Sequence, residues 1–281
     1  MDDILQTPVS EVIQKNYYKV FPAERKVIDV VKEKPQEVVN MNISELAKAS
    51  GVSDATVVRM CNHIGYKGYY QFRIALAQEV GRNQSQDKKE EQKNNNGISE
   101  LFQKYAQNMI AIGENMELEM VMECAHLMNN SNQVHILAVG NTSQLAQYMG
   151  FRLGRIGIRC TFTTGPEYFM NHVNLADPED VIIAISRSGS SKAVVQGIEL
   201  GREKKLKTIA ITAHRHSPIA EMADYSLISC GEKEDFDYFK NNALLSEMAV
   251  IDAILSILMK LKGTIGGAPN LPEFILADTK L

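Results

Sequence analysis

Two short hydroxyl-rich stretches follow apolar runs in the second half of the chain. Gly140-Asn141-Thr142-Ser143 succeeds the run 134–139, and Ser186-Arg187-Ser188-Gly189-Ser190-Ser191 succeeds the run 181–185. A strand that ends in Ser, Thr and Gly and then turns into a helix builds an anion site. The first-turn N–H groups have no intrahelical partner, the helix dipole adds partial positive charge, and the hydroxyls add donors. The chemistry implied is the grip of a phosphoryl group. A second constellation lies far upstream, where two short helical patterns meet at Gly51. The second opens with Ser53, Asp54 and Thr56 and carries Arg59 one turn on. Such a pair fits a helix-turn-helix, whose second helix enters the major groove of double-stranded DNA. Ser and Thr bond base edges or phosphates, and Arg favours guanine. Lys67, with Tyr66, Tyr69 and Tyr70, follows the helix and is placed for backbone phosphates. On periodicity alone, a plain helical hairpin with a solvated polar face fits equally well.

The elements that must position these residues follow from the pattern. Upstream, a helix runs through Glu24–Val31 and ends at Lys34-Pro35, because the residue before proline avoids the α region. Asn42 or Ser44 caps a short helix that Gly51 closes. Ser53 caps the next, which runs to about His63, with Gly65 as its left-handed end. Val52, Val57 and Met60 face inward. A last helix, from Tyr70 to about Val80, leads into residues 81–97, which hold no aliphatic or aromatic side chain and read as a linker or a frayed helix end. This divides the chain into a helical domain at 1–80, a linker at 81–97 and a second domain at 98–281, with a core at 128–262. In the second domain, helices are expected at 98–112 and 116–128. Strands at 134–139, 158–162, 181–185, 208–212 and 225–228 then alternate with helices at 142–155, 167–175 and 191–203, and a long helix at 243–262 closes the pattern. Strands apolar throughout that alternate with helices mean a parallel sheet covered on both faces. The fold class is thus a helical domain followed by an α/β domain.

Composition bounds the function. The 281 residues favour two domains, and 44 % apolar with 23 % charged residues is ordinary for a globular protein. A net charge of −4 gives no global support for nucleic-acid binding. Locally the balance differs: between residues 57 and 82, Arg59, Lys67, Arg73 and Arg82 face only Glu79. Cys61, Cys124, Cys160 and Cys230 lack any C-x-x-C or zinc spacing, so reduced, packing thiols in the cytoplasm are expected, with no metal and no cofactor. No signal peptide and no membrane span is visible.

The run from Glu45-Leu46-Ala47 through Gly51-Val52-Ser53-Asp54-Ala55-Thr56-Val57-Val58-Arg59-Met60-Cys61 to Ile64-Gly65-Tyr66-Lys67-Gly68-Tyr69-Tyr70-Gln71-Phe72 resembles the DNA-binding domain of the RpiR family, bacterial regulators of sugar catabolism. Met60 and Ile64 depart from the family's Phe and Leu but keep the packing role. Asp54 suits the helix dipole yet repels phosphate. Residues 128–262 resemble the sugar isomerase (SIS) domain, whose phosphate signature is matched by Ser186-Arg187-Ser188-Gly189-Ser190-Ser191. The resemblance implies that Ser186, Ser188 and Ser191 supply hydroxyls, that Gly189 admits a close backbone approach, and that Thr142 in Gly140-Asn141-Thr142 is a fourth donor, or Ser143 if the register shifts by one. Arg187 either adds charge to the site or points to solvent. For a carboxylate near the sugar, Glu247 is the positional candidate and His172 a further polar one; packing is the simpler reading of each. The partners implied are operator DNA, a sugar-phosphate effector and a second copy in a dimer or tetramer, with no membrane. No acid/base pair is evident, so no catalytic residue is assigned. The alternatives are a phosphosugar isomerase with an accessory helical domain and a scaffold whose N-terminal helices bind protein.

Overall fold

The computed structural model describes residues 7–87, 97–163, 165–230 and 244–263. The chain divides into two compact units, the first reaching Ala106 and the second beginning at Gln107.

The first unit is helical. Helices α1 (Val9–Asn16), α2 (Pro22–Glu33), α3 (Pro35–Val38), α4 (Ile43–Ala49), α5 (Asp54–His63) and α6 (Tyr69–Asp87) enclose a core that includes Ile13, Ile28, Leu46, Val57, Met60, Ile64 and Phe72. The ends of α4 and α5 are set by local chemistry. Asn42 accepts from the Glu45 amide at 3.0 Å while Glu45 accepts from the Asn42 amide at 2.8 Å, a reciprocal cap. Gly51 has φ +63°, and the Val52 amide returns to the Ala47 carbonyl at 2.9 Å. At the end of α5 the motif repeats: Gly65 has φ +106° and the Tyr66 amide reaches the Cys61 carbonyl at 2.9 Å. These double-bonded left-handed caps leave little freedom in the turn between α4 and α5. Sequence periodicity did not reveal α1 or α3, and α6 continues to Asp87, into the polar stretch.

In the second unit, α7 (Gly97–Asn115) and α8 (Leu118–Asn130) precede an alternation of β1 (Val134–Ala138), α9 (Ser143–Arg155), β2 (Cys160–Thr161), α10 (Pro166–Leu175), β3 (Val181–Ile185), α11 (Lys192–Glu203), β4 (Lys207–Thr212), α12 (Pro218–Met222), β5 (Tyr225–Ile228) and α13 (Leu245–Leu261). The five strands are all parallel, in the order β2-β1-β3-β4-β5. Side chains alternate faces with period two. Val134, Ile136, Val181, Ile183, Ile209 and Ile211 pack with α8, α9 and α13, whereas Leu137, Ile182, Ala184 and Ala210 pack with α10, α11 and α12. Both faces are covered, as the continuous apolar runs required. The second strand is shorter than its apolar run suggested, pairing with β1 only through Cys160 and Thr161 at the sheet edge. Among the described residues, no helix is long and apolar enough to cross a membrane.

Replacing Asn42 by Ala removes the cap of α4 and should cost about 1 kcal/mol of stability. A lowered urea midpoint with unchanged slope would register it.

Candidate functional site

Strand order places the two hydroxyl-rich loops side by side. Strands β1 and β3 are neighbours in register, Ala138 opposite Ile185. The helix after β1 lies on one face of the sheet and the helix after β3 on the other. Their loops therefore part at the carboxyl edge and leave a crevice, the usual ligand position in doubly wound sheets. Gly140 (φ +62°) opens a single 3-10 turn, Gly140–Thr142, before α9 begins at Ser143. Thr142 is 7 % exposed and directs its hydroxyl at the carbonyls of Val139 (3.0 Å) and Ile185 (3.1 Å). Its one hydrogen is committed there, so in this conformation it ties the two loops together and is not a free donor. Asn141 is exposed and Ser143 half-buried.

The second loop retains donors. Ser186 is buried and its hydroxyl donates to Ser191 at 3.0 Å, while Ser188 accepts from the Ser190 hydroxyl at 3.2 Å. Among the described residues, the amides of Ser188, Ser191, Lys192 and Ala193 donate to no carbonyl. They lie in the loop and first turn of α11, where unpaired N–H groups and the helix dipole favour an anion. Gly189 has φ +61°, and a Cβ there would come within 2.0 Å of Ser217 Oγ and 2.9 Å of Thr212 Oγ1. The loop is clamped from the β4 side: the Thr212 hydroxyl and the Ala213 amide both donate to the Arg187 carbonyl at 3.0 Å, and the Ile219 amide donates to Gly189 at 3.1 Å. Sequence reading treated Thr212 as a strand end and missed Ser217. The signal available was Thr212's place beyond an apolar run that pairs with the strand preceding the loop.

Arg187 does not point to solvent. Its Nε donates to Glu247 Oε1 at 2.7 Å and its Nη2 to Oε2 at 2.6 Å, and Ser229 Oγ donates to the same Oε1 at 3.3 Å. The side chains of the pair are 12 % and 1 % exposed. Glu247 occupies the first turn of α13, so the fork joins the loop after β3 to a helix sixty residues away. His172 is corrected: it does not approach the crevice. It stacks on His135 with ring centroids 6.3 Å apart, and His135, the second residue of β1, bonds Asp180 at 3.2 Å and Thr161 at 3.0 Å. That cluster belongs to the amino edge of the sheet, roughly 10 Å along β1 from its carboxyl end. Asp224 is structural, accepting from both the amide and the hydroxyl of Thr208.

On the first unit, α5 turns Val57 and Met60 inward and leaves Ser53, Asp54 and Arg59 exposed. Thr56 is only 5 % exposed; its hydroxyl lies 3.0 Å from Ser53 Oγ and accepts from Arg59 Nη2 at 3.0 Å. Thr56 therefore aims Arg59 from within. Asp54 accepts from Ser44 Oγ at 2.7 Å, joining the starts of α4 and α5. Lys67 is exposed, as is Tyr70. Tyr66 and Tyr69 are not phosphate contacts: both are buried, and Tyr69 donates to the Met41 carbonyl at 2.9 Å. Burial pushes the Tyr66 hydroxyl up to about 12. Arg73 is also withdrawn from the surface charge, 4 % exposed and donating to the same Met41 carbonyl. The thiols of Cys61 and Cys124 are buried and pushed upward by desolvation, Cys124 to about 12, which makes them packing groups.

A helix-turn-helix unit joined to a doubly wound unit is the architecture of a transcription regulator that carries a second, α/β domain. Residues 7–83 match the helix-turn-helix domain of the rpiR family, and residues 127–258 match the SIS domain. The chain thus joins an rpiR-type helix-turn-helix domain to a SIS domain. It is 28 % identical to an uncharacterized HTH-type transcriptional regulator of Caldanaerobacter subterraneus subsp. tengcongensis, over 91 % of this chain and 92 % of that one. A regulator of the same description from Clostridium perfringens is 23 % identical, with 90 % and 92 % covered. The fold is that of the Vibrio vulnificus NanR protein complexed with ManNAc-6P, with a TM-score of 0.79, 19 % identity and coverage of 98 % of this chain and 99 % of that one.

Gly189→Ala should destabilise the second unit by about 1–3 kcal/mol, through positive φ and the overlap with Ser217. Denaturant unfolding read from a probe in that unit checks this.

Proposed function

We propose that this protein is a cytoplasmic transcription regulator whose operator binding responds to a phosphorylated sugar held at the carboxyl edge of the SIS sheet. The observation that carries the reading is that the loops after β1 and β3 lie side by side where the strand order switches, with amides at Ser188, Ser191, Lys192 and Ala193 that donate to no carbonyl among the described residues. Ser186, Ser188 and Ser191 supply the hydroxyls, Gly189 lets the backbone approach, and Gly140, Asn141, Thr142 and Ser143 form the opposite wall. A phosphoryl dianion suits unpaired amides at a helix start better than a neutral sugar would. Arg187 and Glu247 shape the floor of the site as a pair. The NanR structure holds a phosphorylated amino sugar, which makes that class the first to test.

On DNA, Ser53, Asp54 and Arg59 occupy the start of the recognition helix α5, with Lys67 beside it for backbone phosphate. Asp54 orients α4 against α5 and tempers the local positive charge. Helix-turn-helix proteins read paired half-sites as symmetric dimers, so the working form is a dimer or a tetramer. An isomerase needs a base free to take a proton from the substrate. Glu247 is buried with both oxygens turned to Arg187, which favours binding without turnover.

Thermal-shift screening of a phosphosugar panel that includes ManNAc-6P tests the reading, since a ligand that binds only the native state raises its melting temperature. The expected result is a shift with at least one phosphosugar and none with its dephosphorylated form. Ser186→Ala combined with Ser188→Ala should abolish that shift and the ligand response in gel retardation, while operator affinity without ligand is kept. Arg59→Ala should weaken operator binding by about 1–3 kcal/mol if the guanidinium reads a base. A salt titration of retardation on the DNA upstream of its own gene supplies the measurement. Turnover of a phosphosugar by the wild-type chain would overturn the non-catalytic assignment.

A further inference from the structure

We infer that Ser246 and Asn108 are positioning residues that carry occupancy of the phosphoryl site to helix α7; the inference rests on the phosphosugar reading above. Two neighbouring residues in the first turn of α13 face different partners. Glu247 is held by Arg187 of the loop after β3 and by Ser229 at the end of β5. Ser246, one residue earlier and so turned about 100° around the helix, accepts from Asn108 Nδ2 of α7 at 3.0 Å. The series Arg187, Glu247, Ser246 and Asn108 thus runs from the anion loop to α7 through one helical turn.

The parts have the properties a relay needs. A bidentate fork between a guanidinium and a carboxylate is geometrically demanding, so it is made or broken more readily than stretched. A dianion on the loop 186–191, which contains Arg187, competes with Glu247 for the guanidinium. Beyond its first turn, α13 is a stiff body: Val250, Ile251, Ile254, Leu255 and Leu258 are all buried against the sheet and α8. A displacement of Glu247 therefore moves the whole first turn, Ser246 included. At the far end, Asn108 Oδ1 is buried with no hydrogen-bond partner among the described residues, so the amide is held by a single bond and a small shift of Ser246 changes its state. Helix α7 begins at Gly97, in the part of the chain that clusters with the DNA-binding unit, and ends at Asn115 in the SIS unit. It is the helix by which the backbone passes from one to the other.

Hydrogen exchange on the full chain, read by mass spectrometry, tests the relay. The probes are inorganic phosphate, glucose 6-phosphate and ManNAc-6P at millimolar concentration. In the wild type, a probe that protects residues 186–191 is expected to change exchange at 107–115 by about fivefold or more. In Asn108→Ala and Ser246→Ala the protection at 186–191 should persist while the change at 107–115 is lost. Melting curves of both variants without probe establish that they are folded, and each variant tests the contact independently. A response of α7 that survives in both variants overturns the relay, as does a wild type in which 186–191 is protected and α7 is unmoved. Failure of all three probes to protect 186–191 overturns the phosphoryl reading itself, and the relay with it.

Discussion

The switch in strand order between β1 and β3, where the sheet grows outward in both directions from two parallel neighbours, is the constraint on which the second unit depends. Because these adjacent parallel strands send their helices to opposite faces, their carboxyl-end loops cannot close over one another. The protein needs no cavity in its core to make a ligand position; the crevice is a consequence of strand order. What remains is to furnish it. Thr142 holds the two walls together through the Ile185 carbonyl, and Thr212 with Ser217 braces the second wall from β4. The hydroxyls around the site thus divide into those that fix loop geometry and those left for a ligand, a division that residue type alone does not disclose.

The first unit solves a different problem with backbone chemistry. Reading a DNA groove requires α5 to be held at one angle to α4, and the connection is only a few residues long. The reciprocal Asn42/Glu45 cap, the left-handed Gly51 and Gly65, and the Ser44 to Asp54 bond together specify both ends of both helices. A buried carboxylate adds to this: Glu24, in the first turn of α2, accepts from the Phe21 amide and lies 2.9 Å from His63 Nδ1 at the end of α5. Side chains that look like DNA contacts by type are partly consumed in this scaffolding, while Ser53, Asp54, Arg59, Lys67 and Tyr70 stay exposed.

The sequence made the periodic elements legible. Val181–Ile185 is a strand over the whole span expected, because a strand buried on both faces leaves an uninterrupted apolar signature. Edge strand β2 was over-read, since an apolar residue such as Phe162 can lie on the surface against its neighbours without joining the ladder. Helices α1 and α3 escaped because one is eight residues and the other four, too short for a period to declare itself. In the site, loop positions were legible from Ser, Thr and Gly at strand ends. The direction of Arg187 was not, because it is decided by a carboxylate on α13. Tyr66 and Tyr69 misled for a related reason: an aromatic ring with a polar tip serves a core or a surface equally well, and only the packing of α5 against α6 selects.

The brevity of β2 has a bearing on solubility. An open parallel sheet has two edges, and each is a template onto which a foreign strand can hydrogen-bond. Among the described residues, one edge strand offers two residues and the other four, both too short to nucleate fibrillar stacking. Short edge strands are thus one guard against self-templated aggregation, beside the charged Arg159 and Asp224 that precede them.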